Sequence, residues 1–170
     1  SFTDIIVRCV TMALKDFPIV NASLTGQGIL YKDYVNMGIA VAVENGLLVP
    51  VIKDADLMNL AEIAAASAEL IAKAQNGTLA PDDYTGGTFT ITNLGMFDID
   101  EFTAIVNPPE SAILAIGKID RVPVAVGEEV VIRPIMILSL SYDHRTIDGA
   151  PAAQFLQRVK QILQNPYLLI

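Results

Sequence analysis

The only histidine of the chain, His144, lies in the stretch Ser139-Leu-Ser-Tyr-Asp-His-Arg-Thr-Ile-Asp-Gly149. Imidazole is the side chain whose ordinary pKa lies closest to neutral pH, so proton transfer by an imidazole can occur only here. Two carboxylates, Asp143 and Asp148, and one guanidinium, Arg145, stand within four residues of it. The stretch is therefore the first candidate for acid–base chemistry.

The elements on either side of His144 are predicted from local composition. Residues 135–142 are rich in apolar, strand-favouring side chains, whereas Asp148-Gly-Ala-Pro151 offers an N-cap aspartate and a proline near a helix start. His144 is thus predicted in a short strand-to-helix turn, a position that fixes the backbone on both sides of the ring.

Spacing alone leaves a structural role for His144 open, because a histidine beside Asp143 and Arg145 is often a surface residue. A metal site is not expected, since His144 and Asp148 are too few ligands for a closed site. Cys9 is the only cysteine, which excludes an internal disulfide and a thiol cluster.

The composition of the chain argues against several classes of function. With 170 residues and 52% hydrophobic content, we expect one domain, 1–170, with a sizeable core. The N-terminal apolar segment contains Asp4 and Arg8, and no run of about 18 apolar residues is present, so neither a membrane span nor a secretory signal is expected. A net charge of −8 argues against nucleic acid as a partner, and a substrate with several phosphates needs a local cluster of Lys or Arg.

Hydrophobic periodicity predicts three helices and several strands joined mostly by hairpins, an α+β architecture. Helices are predicted over 1–15, 59–75 and 148–164, and Asn76-Gly77 is a left-handed stop for the second one. Strands are predicted in a hairpin over 22–34 and over 35–43, 47–52, 88–92, 111–126 and 129–142. Glu44-Asn-Gly46 is the strongest turn signal.

Four separate blocks carry a resemblance to a known family. Asp143-His-Arg-x-x-Asp-Gly-Ala150 resembles the C-terminal signature of the 2-oxo acid dehydrogenase acyltransferases, the dihydrolipoamide acyltransferase (E2) components, and in outline that of chloramphenicol acetyltransferase. The blocks 36–52, 86–97 and 105–114 and the ending Asn165–Ile170 resemble the same family in the same order. The resemblance implies an acyltransferase domain of the chloramphenicol acetyltransferase type, built on a mixed sheet.

The resemblance implies transfer of an acyl group between dihydrolipoamide and coenzyme A. A thiol with an ordinary pKa of about 8.5 is mostly protonated at neutral pH, and an imidazole with an ordinary pKa of about 6.5 can remove its proton as sulfur attacks the thioester. His144 fits this role. The family's hydroxyl donor to the oxyanion falls on Thr92, although composition alone favours Thr92 as an ordinary strand-end residue.

The other polar residues of the two blocks have expected roles of their own. Asp148 is expected to cap the last helix and to hold the His144 turn by pairing with a cationic or amide partner. Arg145 either orients the turn or meets a phosphate of coenzyme A, and a solvated surface charge is an equal alternative. Asn93, beside Thr92, is a further candidate contact for coenzyme A.

Partners and context also follow from the resemblance. It implies trimers that assemble into a larger core, and association with the 2-oxo acid dehydrogenase (E1) and dihydrolipoamide dehydrogenase (E3) through domains outside this chain. The opening strand and helix of the catalytic domain and the lipoyl domain are also expected to lie outside it.

Acetyl is the expected acyl group, because residues 90–97 and 102–107 resemble those of pyruvate-type members. Succinyl or branched-chain acyl groups are the alternatives. Two other hypotheses are a non-catalytic scaffold and a free-standing acetylase that acts on an amine or hydroxyl. The expected compartment is the cytoplasm or the mitochondrial matrix.

Overall fold

A computed structural model describes residues 1–169. These residues form three α-helices and eleven β-strands. The helices are α1 (Phe2–Asp16), α2 (Leu60–Gln75) and α3 (Gly149–Gln164). The strands are β1 (Ser23–Thr25), β2 (Gly28–Leu30), β3 (Met37–Ile39), β4 (Val41–Val43), β5 (Gly46–Leu48), β6 (Val51–Ile52), β7 (Phe89–Asn93), β8 (Ala112–Ile116), β9 (Asp120–Val126), β10 (Glu129–Ile135) and β11 (Leu138–Tyr142).

Local signals place the first two helices where the sequence predicts them. Ser1 caps α1 in a capping box with Asp4, and Asn59 caps α2 in a second capping box with Glu62. Gly77, with a φ of 66°, follows α2 in the left-handed conformation that glycine adopts without strain. No helix within residues 1–169 is long and apolar enough to cross a membrane.

Five strands form the central sheet in the order β11-β8-β7-β3-β6. The pairs β3–β7 and β7–β8 are parallel, whereas β11–β8 and β3–β6 are antiparallel. The sheet is therefore mixed, and the predicted α+β architecture is confirmed.

The helices cover one face of this sheet. On that face Phe89 of β7 packs on Phe155 of α3, with ring centroids 5.7 Å apart, and both rings are fully buried. The opposite face carries smaller and more polar side chains, among them Thr90 and Thr92 of β7 and Ala115 of β8. The coil from residue 98 to residue 110 leads back to the start of β8 along this side.

Four of the predicted strands are interrupted. The strand predicted over 35–43 breaks at Ala40, and those predicted over 47–52, 111–126 and 129–142 are each split in two. Gly117 lies at one of these breaks, and a Cβ there would lie 1.8 Å from the carbonyl oxygen of Asp100, so only glycine fits where the two segments meet. Beyond it, β9 and β10 form a separate two-stranded ribbon whose apolar side chains, such as Val130, are largely exposed.

Candidate active site

The His144 turn is anchored on both sides. The backbone N–H of Asp143 donates to the carbonyl of Ser111 at 2.8 Å, and the N–H groups of Thr146 and Ile147 donate to the carbonyl of Asp143 at 2.9 and 3.0 Å. Thr146 and Ile147 are buried, whereas His144 is exposed. The turn between β11 and α3 was predicted, and its anchors hold the backbone while the imidazole projects outward.

The imidazole has few contacts within its own chain. The ring of Tyr142 lies next to it, with centroids 5.7 Å apart and planes tilted by 42°. Among residues 1–169, no side-chain hydrogen bond or ion pair involves His144. Its ring nitrogens are therefore open to a substrate or to a second subunit.

Arg145 folds back onto Asp143. Its Nε donates to Oδ1 at 2.9 Å and its Nη2 donates to Oδ2 at 2.6 Å, while its backbone N–H donates to Oδ1 at 3.0 Å. Hydrogen bonds from Arg145 lower the pKa of Asp143 to about 2. Of the roles expected for Arg145, orienting the turn is the one this geometry favours.

Asp148 occupies the N-cap position of α3, but the prediction that its side chain caps the helix is wrong. Its carboxylate makes no capping hydrogen bond, and no cationic or amide partner contacts it among residues 1–169. The helix begins at Gly149, so Pro151 is its third residue. A capping carboxylate often accepts from the backbone N–H at that position, and proline has none. The Asp148 carboxylate is exposed beside the His144 turn and free to act elsewhere.

Thr92 and Asn93 point to opposite faces of β7. Thr92 lies opposite Ala115 on the face away from the helices and is half-buried. The amide nitrogen of Asn93 donates to Oγ1 of Thr3 in α1 at 3.0 Å, and its oxygen accepts from the N–H of Gly95 at 2.8 Å. Asn93 thus has structural partners at both ends of its amide, on the face opposite Thr92.

The structure does not bring Thr92 and His144 together within one chain. Thr92 lies opposite Ala115, which lies opposite Ser139, so these three residues form one row across β7, β8 and β11. Tyr142, the end of β11, is three residues further along, about 10 Å from that row, and two strand spacings add about 10 Å sideways. A single thioester cannot touch both residues of one chain.

A cavity of about 550 Å³ adjoins the turn. Asp143 and Arg145 line it on one side, and Glu110 and Ser111, at the start of β8, lie beneath them. Glu110, a buried carboxyl group, was not among the residues predicted from the sequence. The available signal was a glutamate two residues before an apolar strand, since a charged side chain is rarely buried without a partner. Among residues 1–169, no group of three or more His, Cys, Asp or Glu is placed to hold a metal ion.

Comparison with known proteins supports the resemblance. The family model for the 2-oxoacid dehydrogenases acyltransferase (catalytic domain) matches residues 1–170. The succinyltransferase component of the 2-oxoglutarate dehydrogenase complex of Pseudomonas aeruginosa is 48% identical over 169 residues, 99% of this chain and 41% of that protein. The acetyltransferase component of the acetoin cleaving system of Bacillus subtilis is 44% identical over 170 residues, 100% of this chain and 43% of that protein. The chain thus spans about two fifths of the length of these relatives.

Several solved structures are also similar to this chain. The dihydrolipoamide acetyltransferase of Azotobacter vinelandii superimposes with a TM-score of 0.96 at 40% identity, covering 99% of this chain and 70% of that one. The cubic core of a pyruvate dehydrogenase multienzyme complex gives the same TM-score, identity and coverage. Chloramphenicol acetyltransferase, at 19% identity, a TM-score of 0.57 and coverage of 96% of this chain and 78% of that one, shares the fold.

Proposed function

Because the chain belongs to the 2-oxoacid dehydrogenase acyltransferase family, of which it carries the catalytic domain, we propose that it transfers an acyl group between a dihydrolipoyl group and coenzyme A. The observation that carries this proposal is the exposed His144 on a turn whose backbone is held by Ser111 and Asp143. A rigid backbone with an open imidazole is what a general base for a thiol substrate needs.

In this proposal His144 removes the thiol proton of the incoming substrate, and the thiolate attacks the thioester carbon without a covalent enzyme intermediate. Attack places negative charge on the carbonyl oxygen, and the hydroxyl of Thr92 donates a hydrogen bond to it. Such a donor contributes roughly 10²–10³ in rate. Collapse of the tetrahedral intermediate then breaks the original C–S bond and expels the second sulfur as a thiolate, which takes the proton from the imidazolium.

The spacing of these residues supports their roles. The catalytic mechanism of the Azotobacter vinelandii acetyltransferase has been investigated at a serine, a histidine and an asparagine, with the serine 52 positions before the histidine and the asparagine four positions after it. Thr92 and Asp148 stand at the same two spacings from His144. Both are hydrogen-bonding counterparts of the residues they replace, threonine for serine and aspartate for asparagine.

We infer that the site is shared between neighbouring chains. Thr92 lies on the central strand β7, whereas His144 follows the edge strand β11, so a common site requires Thr92 of one subunit and His144 of the next. A closed trimer repeats such a heterologous contact three times. Its assembly into a larger core is supported by the likeness to a cubic complex core, and E1 and E3 are the expected partners through regions beyond this domain.

The acyl group we favour is succinyl. The predicted acetyl preference has weaker support, since the succinyltransferase of Pseudomonas aeruginosa is 48% identical and the acetyltransferases compared above are 40–44% identical. At the positions of Thr92 and Asp148 the chain also departs from the Azotobacter vinelandii acetyltransferase. The compartment we expect is the bacterial cytoplasm or the mitochondrial matrix, which agrees with relatives from bacteria and with a mitochondrial relative from a plant.

The test is an assay of the full-length protein with coenzyme A and succinyl-, acetyl- and isobutyryl-dihydrolipoamide. We expect kcat/KM to be highest for the succinyl donor, with His144→Ala inactive on all donors. Lys160→Ala, on the exposed side of α3, is the matched control and should retain wild-type activity. If no acyl group is transferred from any of the three donors, the proposed activity is refuted. A preference for the acetyl donor would refute only the assignment of succinyl as the acyl group.

A further inference from the structure

A carboxyl group lies buried at the start of β8. Glu110 is only 7% exposed, and its Oε2 accepts a hydrogen bond from Oγ1 of Thr90 at 2.7 Å. Its backbone N–H donates to the carbonyl of Asn107 at 3.0 Å, which holds the approaching coil in a tight turn. None of the ion pairs among residues 1–169 involves Glu110.

Two glycines make room for the Glu110–Thr90 pair. A Cβ on Gly87 would lie 2.6 Å from Oε1 of Glu110, and a Cβ on Gly38, in the neighbouring strand β3, would lie 2.7 Å from Oγ1 of Thr90. Real Cβ atoms do not approach other atoms this closely. The backbone of two segments therefore closes directly around the carboxyl group and its partner, as in a fitted site.

The pair also connects the two halves of the candidate active site. Thr90 lies two residues before Thr92 on the same face of β7, and it is paired with Ile113 of β8. Glu110 is followed directly by Ser111, whose carbonyl holds the N–H of Asp143 at the beginning of the His144 turn. Glu110 therefore connects the strand that carries Thr92 with the residue that anchors the His144 turn.

We propose that Glu110 is a positioning residue for acyl transfer, whose carboxyl group, bonded to Thr90, fixes β7 relative to the anchor of the His144 turn. This inference rests on the proposed function. It assigns no contact between Glu110 and the substrate. Ionisation of the group leaves a buried charge without a cationic partner among residues 1–169, and the strand and the anchor lose their fixed relation.

Burial favours the neutral form of Glu110, whereas its hydrogen-bond donors favour the charged form. Thr90 from β7 and Asn107 from the coil donate hydrogen bonds to it, and across the cavity Asp143 and Arg145 are paired with each other. Burial raises the pKa of Glu110 from 4.5 to about 7, despite the hydrogen bonds from Thr90 and Asn107, which lower it. The folded protein therefore binds this proton more tightly than the unfolded chain does, and stability declines as pH rises from about 4.5 through about 7.

The experiment compares the wild type with Glu110→Gln, which keeps the shape and the acceptor oxygen without the charge, and with Thr90→Val, which removes the donor. Glu128→Gln, at the exposed tip of the β9–β10 ribbon, is the matched control. We expect the ratio of kcat at pH 8.5 to kcat at pH 7 to be about tenfold higher in Glu110→Gln than in the wild type, because only the wild type loses its neutral acid over this interval. Thr90→Val should lower kcat about tenfold at pH 7 with less than a twofold change in KM for coenzyme A.

Melting temperature supplies a readout that needs no substrate. Glu110→Gln should melt above the wild type at pH 8.5 and together with it at pH 5, whereas Glu128→Gln should follow the wild type at both. A Glu110→Gln variant that fails to fold, melts below the wild type at pH 8.5, or keeps the wild-type kcat–pH profile would overturn the inference. A wild type without acyl-transfer activity would refute the proposed function instead, and the melting comparison would still test the neutral carboxyl group.

Discussion

The guanidinium of Arg145 and the carboxylate of Asp143 form a forked pair across one residue, and His144 is that residue. The two side-chain bonds, 2.9 Å from Nε and 2.6 Å from Nη2, combine with a backbone bond of 3.0 Å to the same carboxylate. A pair of this kind restricts the backbone on both sides of the imidazole. The motif that contains the proposed base thus also contains an ion pair that orients the turn around it.

The first prediction separates orientation of the turn from phosphate binding by Arg145. If Arg145 orients the turn, Arg145→Ala should lower kcat about tenfold and leave KM for coenzyme A within twofold. Arg133→Ala, on the exposed ribbon, is the control for loss of one positive charge. An increase in KM for coenzyme A that exceeds the fall in kcat would instead assign Arg145 to a phosphate.

The second prediction concerns the two N-cap residues Asp148 and Asn59. Asn59 accepts from the N–H of Glu62 at 3.0 Å, so Asn59→Ala should destabilise the protein by about 1 kcal/mol. Asp148 makes no cap bond, so Asp148→Ala should change the free energy of unfolding by less than about 0.5 kcal/mol while lowering kcat. Denaturant melts and kinetics of the two variants check this, and equal destabilisation of both would restore the capping role of Asp148.

The sequence predicts the local parts of this molecule well. The starts of α1 and α2, the Asn45-Gly46 turn and the position of His144 between a strand and a helix each depend on residues within a few positions of one another. Such signals survive in a single sequence because the chain segment that carries them also forms the structure.

The remaining features depend on distant contacts. The bond between Thr90 and Glu110 and the close approach of Gly117 to Asp100 join segments 20 and 17 residues apart, and alternation of apolar residues does not report them. The separation of Thr92 from His144 follows from the order of β7, β8 and β11, which composition does not specify. The candidate residues could be predicted, but their placement on the central strand β7 and beyond the edge strand β11 could not.

The third prediction concerns the C-terminal residues. Residues Pro166–Leu169 form a short 3-10 helix in which Tyr167 is 82% exposed, while Ile170 lies outside the described residues. An exposed aromatic ring followed by aliphatic side chains is suited to contact with another subunit. Deletion of residues 167–170 should lower the particle mass measured by light scattering, and an unchanged mass would contradict the prediction. Tyr84→Ser, which removes another exposed ring, is the control and should leave the mass unchanged.

The last prediction tests whether the site is shared between subunits. His144→Ala should lower activity by at least 10²-fold, and Thr92→Ala by roughly 10²–10³-fold, since each removes one catalytic group. When both variants are co-expressed, each shared site draws its base and its hydroxyl from different chains. Each chain has an even chance of carrying the native residue, so about a quarter of the sites regain both.

Activity of the mixed assemblies near a quarter of the wild-type value would therefore stand far above both parents. Sites contained within single chains would regain nothing, because no chain carries both native residues. Mixing the two purified variants without subunit exchange is the control and should give only the mean of their activities. The distance between Thr92 and His144 along and across the sheet leads us to expect the restored quarter, and mixed assemblies no more active than that mean would rule out a shared site.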